Sequence, residues 1–226
     1  MVWEKICVAG CAFFRHGILP LLLAVGIPAG AQVAEEVPMK LRSPDGCFEF
    51  RELQAGSGYV VVERKSGKIL PLGQFEDGIT VVGEGVPTTL WGGDSRHLAV
   101  TYRAGGRYVT TELFAWTGKK FERMPSVEEV LQPLVEKERM EFLKKENLPE
   151  DMYLRRIWDT FRTESWRDAR TVDVFVHSVR SFMRGKDDGD PEDLEVSGVF
   201  TLRFDEAGNP QVITRRGATE KELNPD

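Results

Sequence analysis

The chain has 226 residues, 41% hydrophobic, 29% charged and 10% aromatic, with 22 glycines and 12 prolines. Such a composition excludes a wholly disordered, collagenous or coiled-coil protein. A formal net charge of −6 argues against a nucleic-acid binder held by a basic surface.

The N-terminus carries Lys5, Arg15 and His16, then an apolar run from Gly17 to Ile27, then Pro28-Ala29-Gly30-Ala31 before polar Gln32. A basic start, a short apolar run and a small-x-small end are the parts of a secretory signal peptide over residues 1–31. The run falls short of the roughly 20 apolar residues that a spanning helix needs. Cleavage after Ala31 is therefore expected rather than a retained anchor, and no stable membrane span would remain. The competing lipoprotein reading rests on Val8-Ala9-Gly10-Cys11, but the apolar run follows that cysteine instead of preceding it. The expected location is the periplasm or the extracellular space. Cys7 and Cys11 leave with the leader, so Cys47 has no intrachain partner and stability must come from a core.

From residue 32 to 125 the chain reads as a β-meander. Strands are expected at Cys47–Leu53, Tyr59–Arg64, Gly78–Val82, Leu98–Tyr102 and Tyr108–Trp116, each rich in β-branched or aromatic residues and bounded by turn formers. Their close spacing implies antiparallel pairing. An internal echo runs through this part. Ser43-Pro44-Asp45-Gly46 opens one unit and Ser66-Gly67-Lys68 closes it. Trp91-Gly92-Gly93-Asp94-Ser95 opens a second and Thr117-Gly118-Lys119 closes that one, with Asp45 and Asp94 offset by 49 residues. Asp can cap its own turn, and Gly supplies the positive φ of a tight hairpin. The two units, about residues 43–121, resemble blades of TolB-like and WD-type β-propellers. The resemblance implies blade-like local structure; two units are too few to close a ring.

Residues 126–216 read as a helix plus antiparallel strands packed on the first part, with two subdomains bordering at Ser126 as the other layout. Ser126-Val127-Glu128-Glu129 is a capping-box start, and an amphipathic helix follows to about Glu146, interrupted by Pro133 and ended by Asn147 and Pro149. Met152–Trp158 is expected to begin a second helix. Strands are expected at Phe161–Trp166, Thr171–Val179, Val199–Arg203 and Gln211–Arg215, with Asp205–Asn209 as a hairpin loop. The tail, 217–226, is polar and expected to fray. The fold class is thus α+β, mainly antiparallel β.

Chemistry-bearing motifs are sparse. His97 and His177 lack partners at metal-ligand spacing, Ser57 lacks the spacing of a nucleophile elbow, and no phosphate-cradling glycine loop is present. No catalytic residue, cofactor or zinc site is expected. The acidic run Asp187-Asp188-Gly189-Asp190-Pro191-Glu192-Asp193 reads as a solvated loop, with calcium around Asp188 and Asp190 as the alternative. Arg155, Arg156, Trp158, Arg162 and Trp166 form an arginine–aromatic stretch suited to anions, polymers or peptides, with a cross-strand ion-pair surface as the plainer alternative. Full burial of both tryptophans would remove the binding reading. The leading functional expectation is an exported, non-enzymatic protein that binds or scaffolds a protein or an envelope polymer. An envelope hydrolase with a carboxylate site and a small inhibitor with a protruding loop are the alternatives.

Overall fold

A computed structural model describes residues 41–52, 58–70, 72, 86–184 and 190–224, all within one compact unit, Val37–Asp226. The leader, the expected strand at Gly78–Val82, Ser57 and the acidic residues Asp187 and Asp188 lie outside the described residues.

The described chain is α+β with β dominant, as its alternating apolar patterns predict. Strands β1 (Phe48–Glu52), β2 (Tyr59–Glu63) and β3 (Lys68–Leu70) form a small antiparallel sheet in that order. The larger sheet contains β4 (Thr88–Trp91), β5 (His97–Gly105), β6 (Tyr108–Trp116), β7 (Phe121–Arg123), β8 (Arg155–Asp168), β9 (Thr171–Phe182), β10 (Glu192–Phe204) and β11 (Pro210–Arg216). Its spatial order is β11-β10-β9-β8-β6-β5-β4, with β7 also on β6. Helix α1 (Val127–Lys145) connects the two halves. That long connection lets β6 and β8 run parallel, whereas the other pairings between these strands are antiparallel.

Two apolar clusters hold these layers. One lies between α1 and the larger sheet, with Leu131, Val135, Phe161, Val174 and Phe200 among its buried members. The other joins the small sheet to β4–β7 through Phe50, Val61, Leu98, Phe114 and Phe121. A pair of buried valines, Val60 and Val62, points to the other side of the small sheet.

The 49-residue echo has a matching hydrogen-bond scheme. Asp45 Oδ1 accepts from Cys47 N, and Asp94 Oδ1 from Arg96 N, each at 2.9 Å. Gly46 N donates to Ser43 O and Ser95 N to Gly92 O, at 2.8 and 2.9 Å. Gly46 and Ser95 hold the same left-handed backbone, φ 69° and 58°. Arg42 bridges Glu49 as Trp91 pairs with Leu98. The two turns also touch, since Asp45 N donates to Ser95 Oγ at 2.9 Å.

Helix α1 begins where its sequence says. Glu129 N donates to Ser126 Oγ at 3.4 Å, with Glu128 and Glu129 in the first turn and Lys144 and Lys145 in the last, matching the helix dipole. Asn147 takes φ 54° and ends it. Leu148 N returns to Leu143 O and Asn147 N to Lys144 O, a Schellman pattern. Pro133 is accommodated inside the helix on its exposed side.

The structure departs from three sequence expectations. Met152–Trp158 does not begin a helix: a turn closes with Met152 N on Pro149 O, and β8 starts at Arg155. Long antiparallel pairing with β9 outweighs a weak local helical preference there. Glu192 and Asp193 are not loop residues but open β10, where Leu194 and Val196 alternate inward between outward-facing acids. The tail does not simply fray. Thr219 caps the turn α2 (Glu220–Leu223), where a reciprocal Thr219–Glu222 capping box forms. Arg216 pairs with Glu222 at 2.5 Å.

Candidate functional site

Strand β8 presents the arginine–aromatic stretch on two faces. A bulge between Arg156 and Trp158 shifts the alternation, so Arg155, Trp158 and Arg162 face away from α1, whereas Arg156 and Trp166 face toward it. The five residues therefore form no single surface. Neither tryptophan is fully buried.

The two that turn inward have structural partners. Trp166 Nε1 donates to Leu90 O at 3.2 Å, and its ring lies against His97. His97 Nδ1 is 2.7 Å from Asp94 Oδ2. The neighbouring hydroxyl, Ser95, is occupied by the Asp45 amide, so this pair serves the turn. Arg156 Nε lies 2.7 Å from Asp159 Oδ2, and its guanidinium covers the Tyr108 ring.

Asp159 is the centre of a buried charge cluster. Arg180 grips both its oxygens, at 2.9 and 3.1 Å. Ser178 donates to it, and Arg139 of α1 donates in turn to Ser178 and to Glu136. Asp159, Arg139, Ser178 and Arg180 are all buried, which makes this a helix-to-sheet clamp and not an open site. Burial pulls the Arg139 guanidinium below its ordinary value, with the neighbouring Arg180 charge adding to the shift. Glu128, which bonds the Tyr108 hydroxyl, is raised by burial.

On the outward face the register builds four rows across β8, β9 and β10: Arg155–Ser181–Asp193, Trp158–Val179–Glu195, Thr160–His177–Ser197 and Arg162–Phe175–Val199. The last row is covered. Arg162 lies over the Phe175 ring and donates to Glu222 O at 3.0 Å, so the C-terminal turn closes this end. In the middle, Trp158 Nε1 donates to Thr160 Oγ1 at 2.5 Å, and Arg103 covers the indole. His177 Nε2 lies 3.2 Å from Glu195 Oε1, but out of line for a hydrogen bond.

The first row is open and runs into a groove of about 580 Å³ at the strand ends. Ile157, Phe182 and Met183 supply much of its apolar lining, and Tyr153 stands beside them, 81% exposed. Met183 of the same groove is exposed too, and contiguous exposed apolar side chains are a mark of recognition surfaces. Arg155, Ser181 and Asp193 line the same groove and make no side-chain hydrogen bond or ion pair among the described residues.

Of the sequence-predicted residues, then, Arg155 alone lines the groove, while Trp158 and Arg162 continue the same face. Asp193 is marked in the sequence only as the end of the acidic run, and Tyr153 and Ser181 carry no mark there that singles them out. Their only signal is the bulge-dependent register, which a single chain does not display. Among the described residues no group of three or more His, Cys, Asp or Glu side chains could hold a metal, and no helix is long and apolar enough to cross a membrane. Asp190 is exposed, two residues before β10, while Asp188 lies outside the described residues. No family model, curated protein or solved structure matches the chain.

Proposed function

We propose that this chain is an exported, non-enzymatic binding protein whose ligand rests in the groove and on the adjoining outward face of β8–β10. The observation that carries the reading is the contrast within that groove: apolar walls, a solvent-exposed Tyr153, and a row of polar side chains without side-chain partners among the described residues. Concave apolar sites with a few convergent polar groups are the usual form of a ligand site. The leader-like residues 1–31 supply the export part of the reading. The echoing units resemble propeller blades, a repeat type that offers interaction surfaces.

A differential pull-down tests the binding part. Envelope extract is passed over the wild-type chain and over a Tyr153→Ala, Met183→Ala variant of equal thermal stability. A component retained by the first and lost by the second is expected; identical retention by both overturns the reading. N-terminal sequencing of the exported protein tests the leader. It should begin at Gln32, and a chain found only inside the cell with its leader intact would refute export.

A further inference from the structure

Resting on that reading, we infer that the groove takes an extended peptide in which a carboxylate and a basic side chain are about three residues apart, with apolar residues between them. Register sets the spacing. Arg155 pairs with Ser181 and Ser181 with Asp193, so one cation, one hydroxyl and one carboxylate stand in line across three neighbouring strands. Two strand spacings separate the ends of that row by about 10 Å. A peptide extended in the polyproline II form rises about 3.1 Å per residue with three residues per turn, so residues i and i+3 share one side and span about the same distance.

The nearby charges with partners are spent elsewhere. Arg184 is held by Glu192 and Glu146, and Arg156 and Arg180 are held by Asp159. Arg155 and Asp193 have no such partner among the described residues. A ligand offering the opposite charges in the opposite order would complete both pairs. Ser181 between them can donate to a peptide carbonyl or accept from a peptide amide. The apolar side chains between the two charges would meet Ile157, Tyr153 and Met183. Methionine adapts to varied apolar shapes, which suits a segment of loose sequence.

The same charges disfavour other ligands. Asp193 lies in the groove, Glu195 follows it on the same face of β10 and Asp190 precedes the strand, and all three are exposed. An anionic membrane surface or polyanion would meet like charge along that wall. A zwitterionic peptide segment meets complementary charge on both sides.

The test uses the full chain, as exported, and ten-residue fluorescent peptides with the cores Glu-Phe-Leu-Lys, Lys-Phe-Leu-Lys and Gln-Phe-Leu-Gln. Anisotropy titrations at low and high salt are run on wild type, Arg155→Glu and Tyr153→Ala, each checked for an unchanged thermal midpoint. Wild type should prefer Glu-Phe-Leu-Lys over the neutral core by about tenfold at low salt, and the preference should shrink at high salt. Arg155→Glu should reverse the preference toward Lys-Phe-Leu-Lys. Equal binding of the neutral and charged cores overturns the charge-pair inference and leaves the groove as a binding site. The charge-pair inference falls in the same way if only anionic vesicles or an envelope polysaccharide bind, with loss in Tyr153→Ala. If no peptide, vesicle or polysaccharide binds, both the inference and the binding reading fall.

Discussion

The two faces of β8 and β9 use the same residue types for opposite ends. Toward α1, Arg156, Asp159, Ser178 and Arg180 close on one another and on Arg139, whose Nε alone among its nitrogens is left without an acceptor. Away from α1, Arg155 and Ser181 stand beside Asp193 with nothing of the described chain to hold them. One face spends its charges on joining a helix to a sheet. The other keeps them available. The lesson is that arginine-rich composition says little about binding until each side chain is assigned a face and a partner.

The largest expected effect breaks the inward face. Asp159→Ala leaves Arg139, Arg156 and Arg180 clustered without their shared counter-charge, and breaking a buried pair in this way costs about 3–5 kcal/mol. Chemical denaturation should show that loss, and a wild-type midpoint would mean the cluster is not a clamp. Ser178→Ala should cost less, about 1–3 kcal/mol, by taking the acceptor from an Arg139 donor and one of the two hydrogen bonds that Asp159 Oδ1 accepts, in a site with no exposure.

A pH titration sharpens the outward side. The Arg216 hydrogen bond, aided by Thr219, lowers the Glu222 carboxyl from 4.5 to about 2. A lowered carboxylate contributes fully above its unfolded value and loses that contribution as pH falls through its folded value. The C-terminal turn, and with it the cover over Phe175, should therefore loosen between about pH 4.5 and 2. Amide exchange at Glu222 and Leu223 reports it, and protection unchanged at about pH 2 would refute the role of the Arg216–Glu222 pair. Smallest of all, Arg155→Ala and Asp193→Ala should leave the denaturation midpoint where it is. A marked drop with either would show that the outward row is structural after all, and the contrast between the faces would disappear.

Much of the frame is legible in the sequence because local signals and tertiary packing agree there. β6 spans Tyr108–Trp116 as its β-branched run predicts, Ser126 caps α1, and Asn147 ends it. The repeat is readable because turn residues carry their own geometry, so that Asp45 and Asp94 build the same turn 49 positions apart. The site is less legible. Arg155 and Trp158 share a face although they stand three positions apart, because the bulge at Ile157 resets the alternation. Arg139 occupies a buried helical stripe with Leu131, Val135 and Leu143, where a period-based reading expects an apolar side chain. Its counter-charges come from β8 and from Glu136, and only the former requires the fold to be known. The tail shows the reverse case. Thr219 and Glu222 spell a capping box in plain sequence, and the polar composition around them hides it.

The parallel meeting of β6 and β8 makes the larger sheet a joined object. Its register spans only Tyr108–Asp159 and Val109–Thr160, supplemented by the Arg107 carbonyl on the Asp159 amide and by Thr111 against Thr163. On either side of that seam the strands are zipped by long antiparallel ladders. Under load or heat the sheet should part there first, into two cohesive blocks, with α1 as the hinge-strap between them. Asp159 sits on that line, and its loss would unfasten the blocks as well as the helix.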